Sequence, residues 1–162
     1  MTAAVLGASG YAGQVLMRLL MDHPEVKSIL PVSSSAAGSP LQTRDAGLGG
    51  DPLNKLGEER RFMSREEAAG EHPEAVFSAL PHGDSARFCE PFFDDSVIFD
   101  LSADFRLRDS GVHERTYGTP APFPRRREAA VYGLAEMNAR AMVSADIIAV
   151  PGCYSKIGRA HV

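Results

Sequence analysis

The stretch Thr2-Ala3-Ala4-Val5-Leu6-Gly7-Ala8-Ser9-Gly10-Tyr11-Ala12-Gly13 decides the fold. A short apolar run breaks at glycines 7, 10 and 13, and Val15, Leu16, Leu19 and Leu20 then recur at helical spacing as far as Pro24. The pattern is strand, glycine turn, helix. Glycine in that turn lets the backbone approach a pyrophosphate, whose charge is stabilised by free amides and the positive end of the helix. A tight turn whose glycines serve only packing is the other reading of the same residues.

Outward from this unit, residues 26–32 read as a second strand, and Pro31, which has no amide to donate, marks its end or an irregular edge. Residues 33–58 turn to Ser, Gly and Pro, with Gly38, Gly47, Gly49 and Gly50 breaking any apolar period. They read as one long surface connection, of a length that is often functional. Ser64-Arg65-Glu66-Glu67 has the form of a capping box, opening a short helix that Gly70 ends. Residues 75–79 read as a strand that stops at Pro81-His82-Gly83. Asp84 or Ser85 then caps a helix bearing Phe88 and Phe92, which Pro91 kinks or ends. Residues 97–100 give a strand, 101–124 irregular chain with room for one short helix, 135–143 a helix and 146–150 a last strand. Strands alternating with helices imply parallel pairing through crossovers: an α/β, Rossmann-like, doubly wound, mainly parallel sheet with helices on both faces.

Composition narrows the class. With 162 residues there is one domain of ordinary size and a sizeable core. The 15 Gly and 11 Pro stay below the roughly 25–30% of disordered chains. A net charge of −4 supplies no cationic field for nucleic acid or anionic membrane, so neither is an expected partner. The apolar runs at 97–99 and 147–150 are far short of the ~20 residues of a membrane helix, and no basic segment precedes Val5-Leu6. Two cysteines 64 positions apart do not make a disulfide scaffold, and a cytoplasmic location fits them.

Chemistry concentrates where strands end. Cys153 follows the last strand in Val150-Pro151-Gly152-Cys153-Tyr154, at the edge where open α/β sheets hold ligands. A helix starting after it would favour the thiolate, whereas an inert buried thiol is the alternative. Cys89, on the apolar side of its helix, reads as a small core hydrophobe. Ser33, Ser34 and Ser35 stand where NAD-binding chains place an acid for the ribose, so a 2′-phosphate, and hence NADP, is favoured over NAD, with an ordinary polar turn as the other reading. Arg44 either reaches a phosphate or is simply solvated, and His82 either lines the cleft or is a capped loop histidine. Arg106 either contacts a substrate carboxylate or phosphate or pairs with Asp100 or Asp104. Arg125-Arg126-Arg127 reads as a solvated loop, and no ligand spacing supports a metal site.

Taken together, residues 7–13, 79–83, 100–107, 131–136 and 151–154 resemble the N-acetyl-γ-glutamyl-phosphate reductases of arginine biosynthesis, within the aspartate-semialdehyde dehydrogenase group. The resemblance runs from about Thr2 to Tyr154. It implies that Cys153 attacks the acyl phosphate of N-acetylglutamyl 5-phosphate to leave a thioester, which NADPH reduces to the semialdehyde. It further implies cofactor contacts at Gly7, Ala8, Ser9, Gly10, Tyr11, Ala12, Gly13, Ser33, Ser34, Ser35, Leu80 and Pro81, and substrate contacts at Arg106 and Ser102. In this family a second domain follows, carrying a catalytic histidine and much of a homo-oligomer interface. Residues 1–154 are then a cofactor domain ending at the nucleophile, expected to bind better than it reacts, and 155–162 have the look of sequencing-adapter read-through. Aspartate-semialdehyde dehydrogenase is the nearest alternative enzyme, and a non-catalytic dinucleotide-binding module the alternative of another class. A short-chain reductase is excluded, because lysines stand only at 27, 55 and 156 and no Tyr-x-x-x-Lys pair exists.

Overall fold

In the computed structural model, which describes residues 1–49 and 54–153, the opening stretch forms β1 (Thr2–Leu6) and α1 (Tyr11–Asp22) around the glycine turn. Next along the chain come β2 (Ser28–Val32), α2 (Arg65–Gly70), β3 (Ala75–Ser78), α3 (Ser85–Phe88), β4 (Val97–Asp100), α4 (Ser110–Tyr117), α5 (Pro124–Ala129), β5 (Val131–Tyr132), α6 (Ala135–Met142) and β6 (Ile147–Ala149). The strands make one sheet in the order β2-β1-β3-β4-β6-β5, and every pairing is parallel rather than merely most of them. The order reverses beside β1, which creates the crevice where such sheets hold ligands.

Register sorts the side chains. Ala4 pairs with Val76, Val76 with Ile98 and Ile98 with Ile147, and these residues share one face with Leu6, Ser78, Asp100 and Ala149. That face packs against Ala68, Ala86, Phe92, Phe105 and Ala130, brought by α2, α3 and the chain between β4 and β5. On the opposite face Ala3, Val5 and Ile29 meet Met17 and Leu20 of α1. A right-handed crossover puts α6 on the α1 side as well. Between the two helices the stacked rings of Phe77 and Phe99, 4.7 Å apart, remain half-buried.

Several local expectations meet a physical correction. β2 does not end at Pro31 but runs on to Val32, and it is an edge strand as read: the Pro31 carbonyl accepts from Met63 N on the outer side, where its own missing amide would have pointed. Residues 33–49 and 54–58 are not merely a surface connection. Two 3-10 turns, Leu41–Thr43 and Ala46–Gly49, lay Leu41 and Leu48 onto the α1 side of the core, joined by Leu56. Burying each such leucine stabilises the fold by about 1.5–3 kcal/mol. Lys55 reaches back to donate to the Met21 and His23 carbonyls at the end of α1, at 2.6 and 2.8 Å.

The arginine run is likewise not a solvated loop. Pro124 starts α5, and Arg127 is fully buried, with Nη1 3.2 Å from both the Leu107 carbonyl and His113 Nδ1. Burial holds its pKa below the usual arginine value. Since arginine can only donate, His113 carries its proton on Nε2, 3.2 Å from Thr119 Oγ1, and burial followed by the Arg127 charge lowers its pKa. The capping box at Ser64 and Glu67 forms as read, with Ser64 N donating to Glu67 at 2.7 Å and Glu67 N to Ser64 Oγ at 3.1 Å. Neither Asp84 nor Ser85 caps α3 with its side chain.

Candidate active site

At the turn, Gly7 has φ +79°, and a Cβ there would come within 3.0 Å of the Ala79 carbonyl. A Cβ on Gly13 would lie 2.3 Å from the Gly7 carbonyl oxygen, so both positions must be glycine if β1, β3 and α1 are to meet this closely. Gly7 N and Ala8 N donate to Val32 O, and Gly10 N to Gly7 O. The first-turn amides of Tyr11, Ala12 and Gly13 have no acceptor within the helix. α1 carries neither an acidic residue in its first turn nor a side-chain cap, so its positive end is uncompensated. This surface fits a pyrophosphate. Arg44, which is exposed, lines with Thr43 a cavity of about 360 Å³ that Ser9, Gly10, Tyr11 and Gln14 also border, so it is both solvated and near the turn.

The serines at the end of β2 divide. Ser33 is buried, sharing a hydrogen bond with Ser9 Oγ at 2.8 Å and accepting from Ala36 N at 3.2 Å, so it braces the turn. Ser34 and Ser35 are exposed, and Ser34 lines a second cavity with Leu80 and Pro81.

Between β3 and β4 the loops lock each other. Asp104, buried, accepts from Gly83 N at 2.7 Å and from Ala86 N at 3.0 Å, so the start of α3 is capped from a different strand end. In return His82 Nδ1 accepts from Ala103 N at 2.8 Å, which fixes the neutral tautomer's proton on Nε2 of this exposed ring. Ser102 is buried: its hydroxyl donates to Asp100 at 2.8 Å and accepts from Asp104 N at 3.0 Å, which places it in the frame of this loop.

Asp100 itself is fully buried, accepting from Ser85 Oγ at 2.6 Å and Ser102 N at 3.0 Å. Burial raises its pKa, against the lowering effect of these donors. The folded protein therefore holds this proton above the pH at which the unfolded chain releases it. Stability from this group falls as pH rises from about 4 through the raised value. Asp100→Asn removes the effect, so its melting midpoint relative to wild type climbs between pH 4 and pH 7. A pH-independent difference would contradict the assignment.

Arg106 pairs with neither Asp100 nor Asp104. Its Nε donates to the Val150 carbonyl at 2.9 Å and its Nη2 to the Leu101 carbonyl at 2.8 Å, tying the loop after β4 to the loop after β6. Its Nη1 lies 3.3 Å from where a Gly152 Cβ would stand, so the guanidinium sits against the residue before Cys153. Arg106, Leu107, Tyr117, Tyr132 and Gly152 line a cavity of about 370 Å³ at this edge. Cys153 is exposed, not walled into the core; Tyr154 and the tail at 155–162 lie outside the described residues. Cys89 is buried, and burial, with Asp100 adding to it, pushes its thiol up to about 12. Iodoacetamide at pH 8 is therefore expected to label Cys153 alone in the folded chain and both cysteines in guanidinium; modification of Cys89 under native conditions would refute this. Among the described residues no helix is long and apolar enough to cross a membrane.

Comparison with known proteins agrees with this geometry. Residues 2–145 match the family described as semialdehyde dehydrogenase, NAD binding domain. An N-acetyl-gamma-glutamyl-phosphate reductase of Streptomyces coelicolor is 43% identical over 156 residues, covering 94% of this chain and 42% of that protein. One from Akkermansia muciniphila is 40% identical over 154 residues, covering 93% and 43%. The chain thus spans less than half the length of these relatives. A crystal structure of aspartate semialdehyde dehydrogenase with NADP from Candida albicans shares the fold, with a TM-score of 0.56 at 18% identity over 94% of this chain and 43% of that one. With the glycine turn, the reversed strand order and this match over nearly its whole length, the chain belongs to the semialdehyde dehydrogenase NAD-binding domain family.

Proposed function

We propose that this chain is the dinucleotide-binding part, with the nucleophile, of an NADP-dependent N-acetyl-γ-glutamyl-phosphate reductase. The observation that carries the reading is an exposed Cys153 at the strand edge that Arg106 braces, in a sheet whose first helix presents an uncompensated amino end. In this reading the amides of residues 11–13 hold the pyrophosphate, and the 80–83 loop, locked by Asp104, faces the nicotinamide. A bound nicotinamide supplies hydride.

The chain's own part is covalent capture. Cys153 Sγ, as thiolate, bonds to the acyl carbon and inorganic phosphate leaves with the electrons of the broken C–O bond, giving a thioester. Arg106, already held by two carbonyls, turns its remaining nitrogen toward this place and stabilises the departing oxyanion. The proton-transferring histidine belongs to a further domain, which covers the half-buried Phe77–Phe99 face and supplies a homo-oligomer contact. A cytoplasmic setting suits this chemistry.

Mass spectrometry of the chain after exposure to N-acetylglutamyl phosphate without cofactor tests the reading: an acyl adduct on Cys153, absent from Cys153→Ser, is expected. A Cys153 that iodoacetamide labels but the acyl phosphate does not would defeat it. Aspartyl phosphate in a parallel reaction decides against the aspartate-semialdehyde alternative if it acylates at least tenfold more slowly, roughly the discrimination expected of a mismatched side chain.

A further inference from the structure

Arg127 is fully buried, yet its Nε and Nη2 have no hydrogen-bond partner among the described residues, and the face of the Phe105 ring lies 5.9 Å from Cζ. Burying a charge on these terms seldom gains stability, since an apolar side chain of similar volume would fill the space as well. What the guanidinium adds is donation. Both protons of Nη1 are engaged, one by the Leu107 carbonyl and one by His113 Nδ1, each at 3.2 Å. We infer that Arg127 and His113 are a positioning pair, which holds the wall of the cavity at the Cys153 edge while His113 is neutral and releases it when His113 takes up a proton. For reaction at Cys153 this rests on the acyl capture proposed above.

The pair meets that cavity at two of its lining residues. Leu107, whose carbonyl Arg127 holds, follows Arg106 in the chain, and Tyr117, whose ring stands 5.1 Å from that of His113, faces the same space of about 370 Å³. A third contact leads to the loop after β3. His113 Nε2 donates to Thr119 Oγ1 at 3.2 Å, and Thr119 Cγ2 lies 3.3 Å from where a Gly83 Cβ would stand.

Neutral His113 accepts at Nδ1, whereas its protonated ring can only donate. A proton on Nδ1 sets donor against donor and positive charge against positive charge in a buried place, so the pair parts and the Leu107 carbonyl loses its donor. The charged and titratable groups facing His113 are Arg127 from α5, Asp104 from the loop after β4, His82 from the loop after β3, and Glu114 and Tyr117 from its own helix. Burial and then Arg127 oppose protonation, with His82 adding to them; Asp104 and Glu114 favour it, and the net direction is downward. The unfolded chain therefore takes up this proton near 6.5, before the folded one does. Stability from the pair is complete above that pH and is lost as pH falls towards the lowered value.

Two readouts on the 162-residue chain between pH 8 and pH 4.5 test this. One is hydrogen-exchange protection of the Arg106 amide, which donates to the Ala103 carbonyl at 3.2 Å. The other is the rate at which N-acetylglutamyl phosphate acylates Cys153, divided by the iodoacetamide rate so that thiol ionisation cancels. Arg127→Met is expected to melt at or above wild type, yet to lose about tenfold in each readout while the amides of β1 keep their protection. In His113→Asn the Oδ1 takes the place of Nδ1 and cannot be protonated, so at pH 8 both readouts stay within about threefold of wild type. Below about pH 6.5 wild type falls behind His113→Asn, by about tenfold at pH 4.5, with substrate ionisation common to both. Loss of protection across the whole sheet in Arg127→Met, or acylation at the wild-type rate, overturns the inference. So does a His113→Asn profile that follows wild type down in acid. If wild type is acylated at no pH, the capture reading falls, and the Arg106 amide alone decides for or against the pair.

Discussion

Gly13→Ala is expected to abolish measurable binding of a nicotinamide dinucleotide and to destabilise the fold by about 1–3 kcal/mol. The added methyl would stand 2.3 Å from Gly7 O, 2.7 Å from Ala8 Cα and 2.9 Å from Gly7 C, all backbone atoms with no rotamer to yield. Relief requires α1 to lift from the turn, which displaces the amides of Tyr11, Ala12 and Gly13 from the only arrangement in which they converge. Gly70→Ala is the matched control: nothing lies within 4 Å of its new methyl, and the change should stay within about 0.5 kcal/mol of wild type. Denaturant melts and NADPH titration of the two variants check both statements. Tight binding by the Gly13 variant would mean that the turn tolerates a wider helix-to-strand spacing than its geometry allows.

Asp104→Ala should cost about 3 kcal/mol or more, because a single carboxylate satisfies two amides of the 83–86 segment and each charge-assisted bond contributes about 1.5–3 kcal/mol. The loss has a local signature. Amide hydrogen exchange at Gly83 and Ala86 should quicken more than at β1 or β3, since only the start of α3 loses its acceptor. Asp104→Asn, which keeps one acceptor and turns an amide toward the other donor, should fall between. Uniform exchange across the sheet would make Asp104 a general core residue rather than the pin of this loop.

These two residues also mark what a sequence discloses. Gly13 was legible because its role follows from spacing alone: strand, three glycines, helix. β3, β4 and β6 are legible for a similar reason, each being a short apolar run, with ends placed to within one residue, and so is the capping box, whose partners are three residues apart. Asp104 was not, because its acceptor role toward α3 spans 18 or more positions. Neighbouring residues alone point to Asp84 or Ser85 for the cap, whereas the hydroxyl of Ser85 is engaged by Ser78 and Asp100.

The same limit explains Arg127 and the connection after β2. Three consecutive arginines look solvated until His113 and the Leu107 carbonyl, 14 and 20 positions away, claim one of them. Leu41, Leu48 and Leu56 are spaced too irregularly to show any period, yet the core takes all three. Strand β5 has no signature in the sequence because it is two residues long and exists only through its pairing with β6. At the site, the position of the glycine turn and of an exposed Cys153 after the last strand could be read from the chain; the cavity joining Ser34 to Leu80 and Pro81 could not, because its walls come from three separate segments.

Pro31 also governs how molecules of this chain meet one another. An outer strand ordinarily offers a ladder of donors on which a second molecule can nucleate a continuous intermolecular sheet. Here one rung is deleted by the imino acid and its carbonyl is already occupied by Met63, while the far border of the sheet is only two residues long. Among the described residues strand templating is thus disfavoured at both borders, and self-association of this part of the protein is expected to proceed through side-chain surfaces, reversibly and with sensitivity to mild detergent.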